Sequence, residues 1–424
     1  MHLANVLLTL LPVSLLATES LAGSSSHSAH ALPARRRHNK GRALSPIKAS
    51  NSSSEHETNR IASAGASADD FSPVTGRRVS KRAQCGVSSP ATSSKTSSTI
   101  TVGAAVVPTA AATSSSKWKL DLEAKGNSFF DTFNFWAYDD PTHGTVTYVS
   151  QDEATKSNLA TVNGKGNAVL AVDTTQNVQK GRKAVRLHSS YIFNGGLILA
   201  DIVHMPTGCG TWPAWWSNGP DWPNKGEIDI LEGTHSWDRN QVSVHTSDGC
   251  TIPSNYGASA VLTTGSFVNT NCASYATSNQ GCGQRESASH QAYGEPFNQN
   301  GGGVYAMKWD TSGISVYFFP RNAIPADITQ GVPLPETWGT PMGNFPSTSC
   351  EPFKFFKDHH TIINTTFCGD WANSDWWTAG SAGNGQSCAA KTGYNSCSDY
   401  VLNNGDKFHE AYWEFASVKY YQPK

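Results

Sequence analysis

The chain has 424 residues, 38% of them hydrophobic and 15% charged, with 32 Lys/Arg against 33 Asp/Glu for a net charge of −1. That length fits one large domain or two to three average ones. The near-zero net charge hides a basic leader and an acidic remainder. Beyond the first residues no apolar stretch reaches the roughly 20 residues that a membrane-spanning helix needs.

In chain order, "MHLANVLLTLLPVSLLATESLA" (1–22) has the length and apolarity of a secretory signal peptide. Pro12, Thr18 and Glu19 interrupt it as a membrane anchor, and Ser20 and Ala22 precede a plausible cut. Residues 23–82 hold 11 Lys/Arg against 4 Asp/Glu and are rich in Ser, His and Arg. They read as a basic, disordered pro-segment ending at the dibasic "SKR", with "ARRRHNKGR" a removable leader rather than a nucleic-acid arm. Residues 83–116, almost uncharged Ser, Thr, Ala and Val, read as a flexible, O-glycosylated linker. One large folded domain is expected over 117–424. "VKYYQPK" at the end offers no hydrophobic tail for a lipid anchor. A secreted, extracellular protein follows.

Cysteine usage agrees with that compartment. Of nine cysteines, Cys85 lies before the folded part and eight lie within it, enough for four bridges whose pairing stays open. No tight Cys-x-x-Cys or His spacing marks a metal site. No cofactor is expected. Asn51 in "NSS" and Asn364 in "NTT" are N-glycosylation acceptors in a secreted chain.

The folded part alternates short β-branched and aromatic runs with Gly, Asn, Asp and Pro. "GGLILADIVHMP", "NQVSVHTS", "TIINTTFC" and "AYWEFASVKYYQP" read as strands, and "KWDTSGISVYFF" as a hairpin turning at Asp310 to Gly313. No segment keeps a helical apolar period for three turns. An all-β sandwich or jelly roll of antiparallel strands is expected. Thirteen Trp residues are present, several in "TWPAWWSNGPDW" and "CGDWANSDWW". In loop-like text of that kind, clustered flat rings beside Asn and Asp suit the C–H face and hydroxyls of a sugar.

The segment "GEIDILEG" carries Glu227, Asp229 and Glu232 among aliphatic residues. Strand alternation puts Glu227 and Asp229 on one face but sends Glu232 to the other. A one-residue β-bulge between Asp229 and Glu232 would return it to the first face, with Ile228 and Ile230 buried behind. Three carboxyls in one cleft suit retaining glycoside hydrolysis: one attacks, one protonates and later deprotonates, and the third helps split their proton affinities. With 13 Glu and 20 Asp in the chain, about 0.02 chance occurrences of this spacing are expected, so an accidental acidic edge is the weaker reading.

"GTWPAWWSNGPDWPNKGEIDILEG", with "SFFDTFNFWAYDDPTHGTVTYVS", "VSVHTSDGC", "TTFCGDWA" and "AYWEFASVKYYQ", closely resembles glycoside hydrolase family 16 in its fungal laminarinase or endo-1,3(4)-β-glucanase branch. The resemblance spans the chain from about Lys117 onward. It implies a β-jelly-roll sandwich of two antiparallel sheets with a concave substrate cleft. It further implies that Glu227 is the nucleophile, Glu232 the acid/base and Asp229 the assisting carboxylate. His245 would line the same site, Trp216 and Trp222 would stack on glucose, and Trp371 would add a platform; whether Trp215 or Trp216 faces sugar stays open. The bulged spacing is that of laminarinase-like members, which points to β-1,3 and mixed β-1,3/1,4 glucans as the substrate of a monomer free of nucleic acid and membrane. A wall transglycosylase of the same fold and a non-catalytic glucan-binding jelly roll are the competing readings.

Overall fold

A computed structural model describes residues 115–253, 263–287 and 289–424. The proposed signal peptide, pro-segment and nearly all of the linker, with Asn51 and Cys85, lie outside the described residues. Eighteen strands are present among those described. In chain order they are β1 (Trp118–Ala124), β2 (Phe133–Phe135), β3 (Val146–Tyr148), β4 (Ala160–Val162), β5 (Ala168–Leu170), β6 (Arg182–Ala184), β7 (Arg186–Phe193), β8 (Gly196–His204) and β9 (Thr211–Asn218). They continue with β10 (Glu227–Glu232), β11 (Gln241–His245), β12 (Gly265–Asn269), β13 (Cys282–Glu286), β14 (Gly303–Asp310), β15 (Gly313–Pro320), β16 (Gly343–Pro346), β17 (His359–Phe367) and β18 (Trp413–Pro423).

Two antiparallel eight-stranded sheets make the sandwich. One runs β16-β15-β14-β8-β18-β5-β4, with β1 added along β18; the other runs β12-β13-β11-β10-β9-β17-β7-β2. A separate parallel pair, β3 with β6, sits apart from both. The jelly-roll architecture read from the sequence is therefore the one observed. The hairpin is also as expected, Asp310 opposing Gly313 between β14 and β15.

Alternation sorts each strand into a core face and an outer face. Ile198, Ala200, Ile202, Tyr305, Met307, Trp309, Phe415 and Tyr420 of the first sheet pack against Trp215, Ile228, Ile230, Leu231, Val242, Val244 and Ile363 of the second. Fully burying one such side chain contributes about 1.5–3 kcal/mol. The first sheet is covered on its far side too, where Leu197, Leu199, Val304, Tyr317 and Tyr421 meet Ile328 and the ring of Trp338. The second sheet has only the one apolar face. Its other face is polar and holds the site.

Two tryptophan-rich stretches expected to be loops are not. "TWPAWWSN" is β9, paired on both sides, and Pro213 opposes Thr365 of β17 within it. Proline and tandem Trp disguise a strand, yet its alternation is regular. "GDWANSD" is a helix, Gly369–Asp375. It spans seven residues, under two turns, too short for an apolar period to register in sequence.

The eight cysteines of this region form four disulfides: Cys209–Cys388, Cys250–Cys350, Cys272–Cys282 and Cys368–Cys397. Two of them tie the helical stretch after β17 to the sandwich and to itself. Beneath that stretch lies a satellite core that includes Phe367, Trp376, Tyr400, Val401 and Phe408. Among the described residues no helix is long and apolar enough to cross a membrane.

Candidate active site

Two glycines bracket β10. Gly226 has φ +75°, and a Cβ there would fall 2.3 Å from the Phe356 ring. Gly233 lies so close to Trp237 and Tyr293 that a Cβ would meet them at 2.8 and 2.9 Å. Only glycine fits either place, so the ends of the acidic strand are fixed by packing.

Between them the register breaks as expected. Against β11, Asp229 opposes Ser243 and Glu232 opposes Gln241; against β9, Asp229 opposes Trp216 and Glu232 opposes Ala214. One residue is extra on β10. Ile230 and Leu231, adjacent in sequence, are both buried in the core. Glu227, Asp229 and Glu232 consequently share the polar face.

Neighbouring strands complete a row around each carboxylate. His245 opposes Glu227 from β11, and its Nε2 lies 3.3 Å from Asp229 Oδ2 and 3.8 Å from Glu227 Oε1. From β9, Trp212 donates its indole N–H to Glu232 Oε1 at 2.8 Å. Trp216, not the wholly buried Trp215, is on this face. It donates to Asn364 Oδ1 at 2.7 Å, and the Arg186 guanidinium lies 5.2 Å from its ring. Trp222 approaches Glu227, whose carboxyl its indole N–H helps hold ionised although no full hydrogen bond forms between them.

Trp371 stands one ring further out. It meets Trp212 and Trp237 edge-on, with centroids 5.6 and 5.3 Å apart. The loop after β10 holds its helix in place: Thr234 and Trp237 both donate to Asp375, at 2.7 and 3.0 Å. His235 Nδ1 accepts from the Gly210 N–H, so its Nε2–H donates to the Ala372 carbonyl. Of the seven residues picked from the sequence, Glu227, Asp229, Glu232, His245 and Trp216 meet on β9 to β11, Trp222 approaches Glu227, and Trp371 reaches the group only through its edge contact with Trp212.

That reading missed three partners. Trp212 shares its strand face with Trp216 by simple alternation and could have been found. Asn364 had been taken for a glycan acceptor; it is 5% exposed, accepts from Trp216 and donates to the Tyr148 hydroxyl. A glycan has no room there in the folded protein. Asn240, which bonds the bulged backbone, carried no sequence signal.

Burial dominates the electrostatics. It pushes the carboxyls of Glu227, Asp229 and Glu232 each up to about 8. The Asp229 charge raises its two neighbours further, while His245 and the indoles of Trp222 and Trp212 work the other way. Such a triad titrates as a unit, so at neutral pH it shares protons rather than ionising fully. Asp229 is 2% exposed, and one of its oxygens makes no hydrogen bond. One oxygen each of Glu227 and Asp229 and a ring nitrogen of His245 lie within 4.8 Å of one another, donors of a kind that also suits a divalent cation.

The chain is similar in sequence and fold to known proteins. The family model described as the XgeA-like catalytic GH16 domain matches residues 133–421. A probable endo-1,3(4)-beta-glucanase of Aspergillus clavatus is 40% identical over 318 residues, 73% of this chain and 47% of that one, so the chain spans about half its relative's length. Among solved structures, GH16 laminarinase 16A of Phanerochaete chrysosporium, with 6-O-glucosyl-laminaritriose in donor and acceptor sites, superposes with TM-score 0.65 at 39% identity over 72% of this chain and 99% of that one. An elongating GH family 16 β-1,3-glucosyltransferase gives TM-score 0.63 at 39% identity over 72% of this chain and 100% of that one.

Proposed function

Because the chain belongs to glycoside hydrolase family 16, we propose that it is a secreted, retaining endo-β-glucanase of β-1,3 and mixed β-1,3/1,4 glucans. The observation that carries this reading is the bulge of β10, which turns Glu227, Asp229 and Glu232 to one face beside indole rings. Retaining enzymes need two carboxyls flanking the scissile bond, about 5–5.5 Å apart.

Glu227 attacks the anomeric carbon, and the bond to the leaving sugar breaks as Glu232 gives its proton to the glycosidic oxygen. The covalent glycosyl ester on Glu227 is then opened by water, whose proton returns to Glu232. Burial favours the protonated form of Asp229, which in that form spares Glu227 a neighbouring charge. His245 Nε2 bridges the two. Trp216, Trp222 and Trp371 offer the flat faces on which glucose rings stack. Laminarinase 16A, whose solved structure holds glucans in two sites, supports a glucan as substrate here. The four disulfides support an oxidising compartment. Sequencing the N-terminus of protein from a culture supernatant tests the secreted reading; a start at Gly23 would refute cleavage after Arg82.

Purified protein is expected to release reducing ends from laminarin and barley β-glucan. Glu227→Ala should lower that rate by roughly 10⁴-fold or more; an unchanged rate would sink the assignment, and glucan binding without any release by the unaltered protein would favour a glucan-binding module. The likeness to an elongating glucosyltransferase supports a second reading, in which a sugar hydroxyl replaces water in the second step. Sizing products from one defined laminari-oligosaccharide separates the two: shorter chains only for a hydrolase, longer ones for a transferase.

A further inference from the structure

An extra residue in a strand leaves backbone groups without ladder partners. In β10 the affected groups on the β11 side are the Ile230 carbonyl and the Glu232 N–H. They are not left to solvent. Asn240, the residue just before β11 and wholly buried, takes both. Its Oδ1 accepts from Glu232 N–H at 2.8 Å, and its Nδ2 donates to the Ile230 carbonyl at 2.8 Å. The amide orientation is fixed, since an N–H must meet the oxygen and a carbonyl the NH₂. The backbone of Asn240 is itself held, its carbonyl accepting from Glu286 N–H at 2.8 Å.

A primary amide on a short stem suits this place. Aspartate would present two acceptors to one donor and one acceptor. Leucine, of similar shape, would satisfy neither group, and both would be buried unpaired. The bond to the Glu232 N–H matters most. That N–H sits on the residue whose side chain Trp212 grips at the other end. Glu232 is thus clamped twice, at its backbone by Asn240 and at its carboxyl by Trp212.

We propose that Asn240 is a positioning residue that sets where Glu232 delivers its proton. This rests on the reading of Glu232 as the acid/base. A displacement of about 1 Å in a catalytic group can cost 10²-fold in rate. The defect should appear only when the leaving group needs a proton.

The test compares kcat/KM on two substrates: laminarin, whose departing sugar hydroxyl must be protonated, and 2,4-dinitrophenyl β-laminaribioside, whose phenolate leaves unaided. For Asn240→Ala, kcat/KM on laminarin should fall by about 10–100-fold and on the aryl substrate far less. Both values are divided by the same enzyme concentration, so a partly unfolded sample cannot change their ratio. If the alanine variant gives no folded protein, Asn240→Ser is read by the same ratio. Equal losses on both substrates would overturn the proposal and leave Asn240 a fold-stabilising residue only. Glu232→Gln is the control. Equal losses in that variant would overturn the acid/base reading itself; a selective loss there, with none for Asn240→Ala, would overturn the Asn240 proposal alone.

Discussion

Trp212 shows how much one hydrogen bond decides. Its indole donates to Glu232, which favours the ionised carboxylate and works against burial. In the proposed mechanism Glu232 carries a proton while Glu227 is ionised, so kcat/KM on glucan should fall as pH rises past about 8 and the triad loses its shared proton. Replacing the donor by Trp212→Phe removes the hydrogen bond that, with the His245 charge, holds the carboxyl down. The alkaline limb of the kcat/KM profile should move to higher pH, and a shift to lower pH would contradict the role given to Glu232. At this scale the sequence was informative about residue types with strong chemistry of their own. Glu227, Asp229 and Glu232 are named by their chemistry and spacing, whereas His245 and the individual tryptophans rest on the family resemblance. Asn240 could not be named, because it serves a backbone irregularity whose unpaired groups exist only once the strands pair.

At the scale of elements, the bulge was legible for a definite reason. Period-two alternation left Glu232 on the wrong face, and only an inserted residue could return it. The sequence holds a second sign of the same thing: Ile230 and Leu231 are consecutive apolar residues in a strand that otherwise alternates, and both are buried. Strand β9 was harder to read. It is flanked by β10 and β17, so its composition, Thr-Trp-Pro-Ala-Trp-Trp-Ser-Asn, answers to core packing on one side and to the acidic triad on the other. A count of residue types reads such a strand as loop-like, although it pairs on both sides. The helix Gly369–Asp375 was illegible for another reason. Its position depends on Thr234, His235 and Trp237, residues more than 130 positions away, and no local pattern encodes such a dependence.

For the molecule as a whole, the jelly roll followed from many short strands and the lack of a sustained helical period, and the even cysteine set announced bridges but not their pairing. The pairing is a product of topology. Cys209–Cys388 and Cys250–Cys350 are separated by 179 and 100 residues, distances over which spacing alone says nothing. Central strand pairs are likewise distant in sequence: β17 lies beside β9, with Asn364 opposite Ala214. That pairing sets up a race during synthesis. Asn364 carries an acceptor sequon, "NTT", which a glycosylating host meets while the chain is still unfolded. The folded strand has no place for a sugar, because both atoms of that side-chain amide are already engaged. A chain modified there could not seat β17 against β9. Because β9 is made first, β17 can dock soon after it emerges, and correct folding hides the sequon from the transferase. In a glycosylating host, peptide mass mapping should find Asn364 bare in all secreted, active protein, with any modified copy confined to retained, misfolded material. A glycan on Asn364 in active enzyme would contradict the cleft geometry described above. For such a protein, the speed of sheet formation decides its yield.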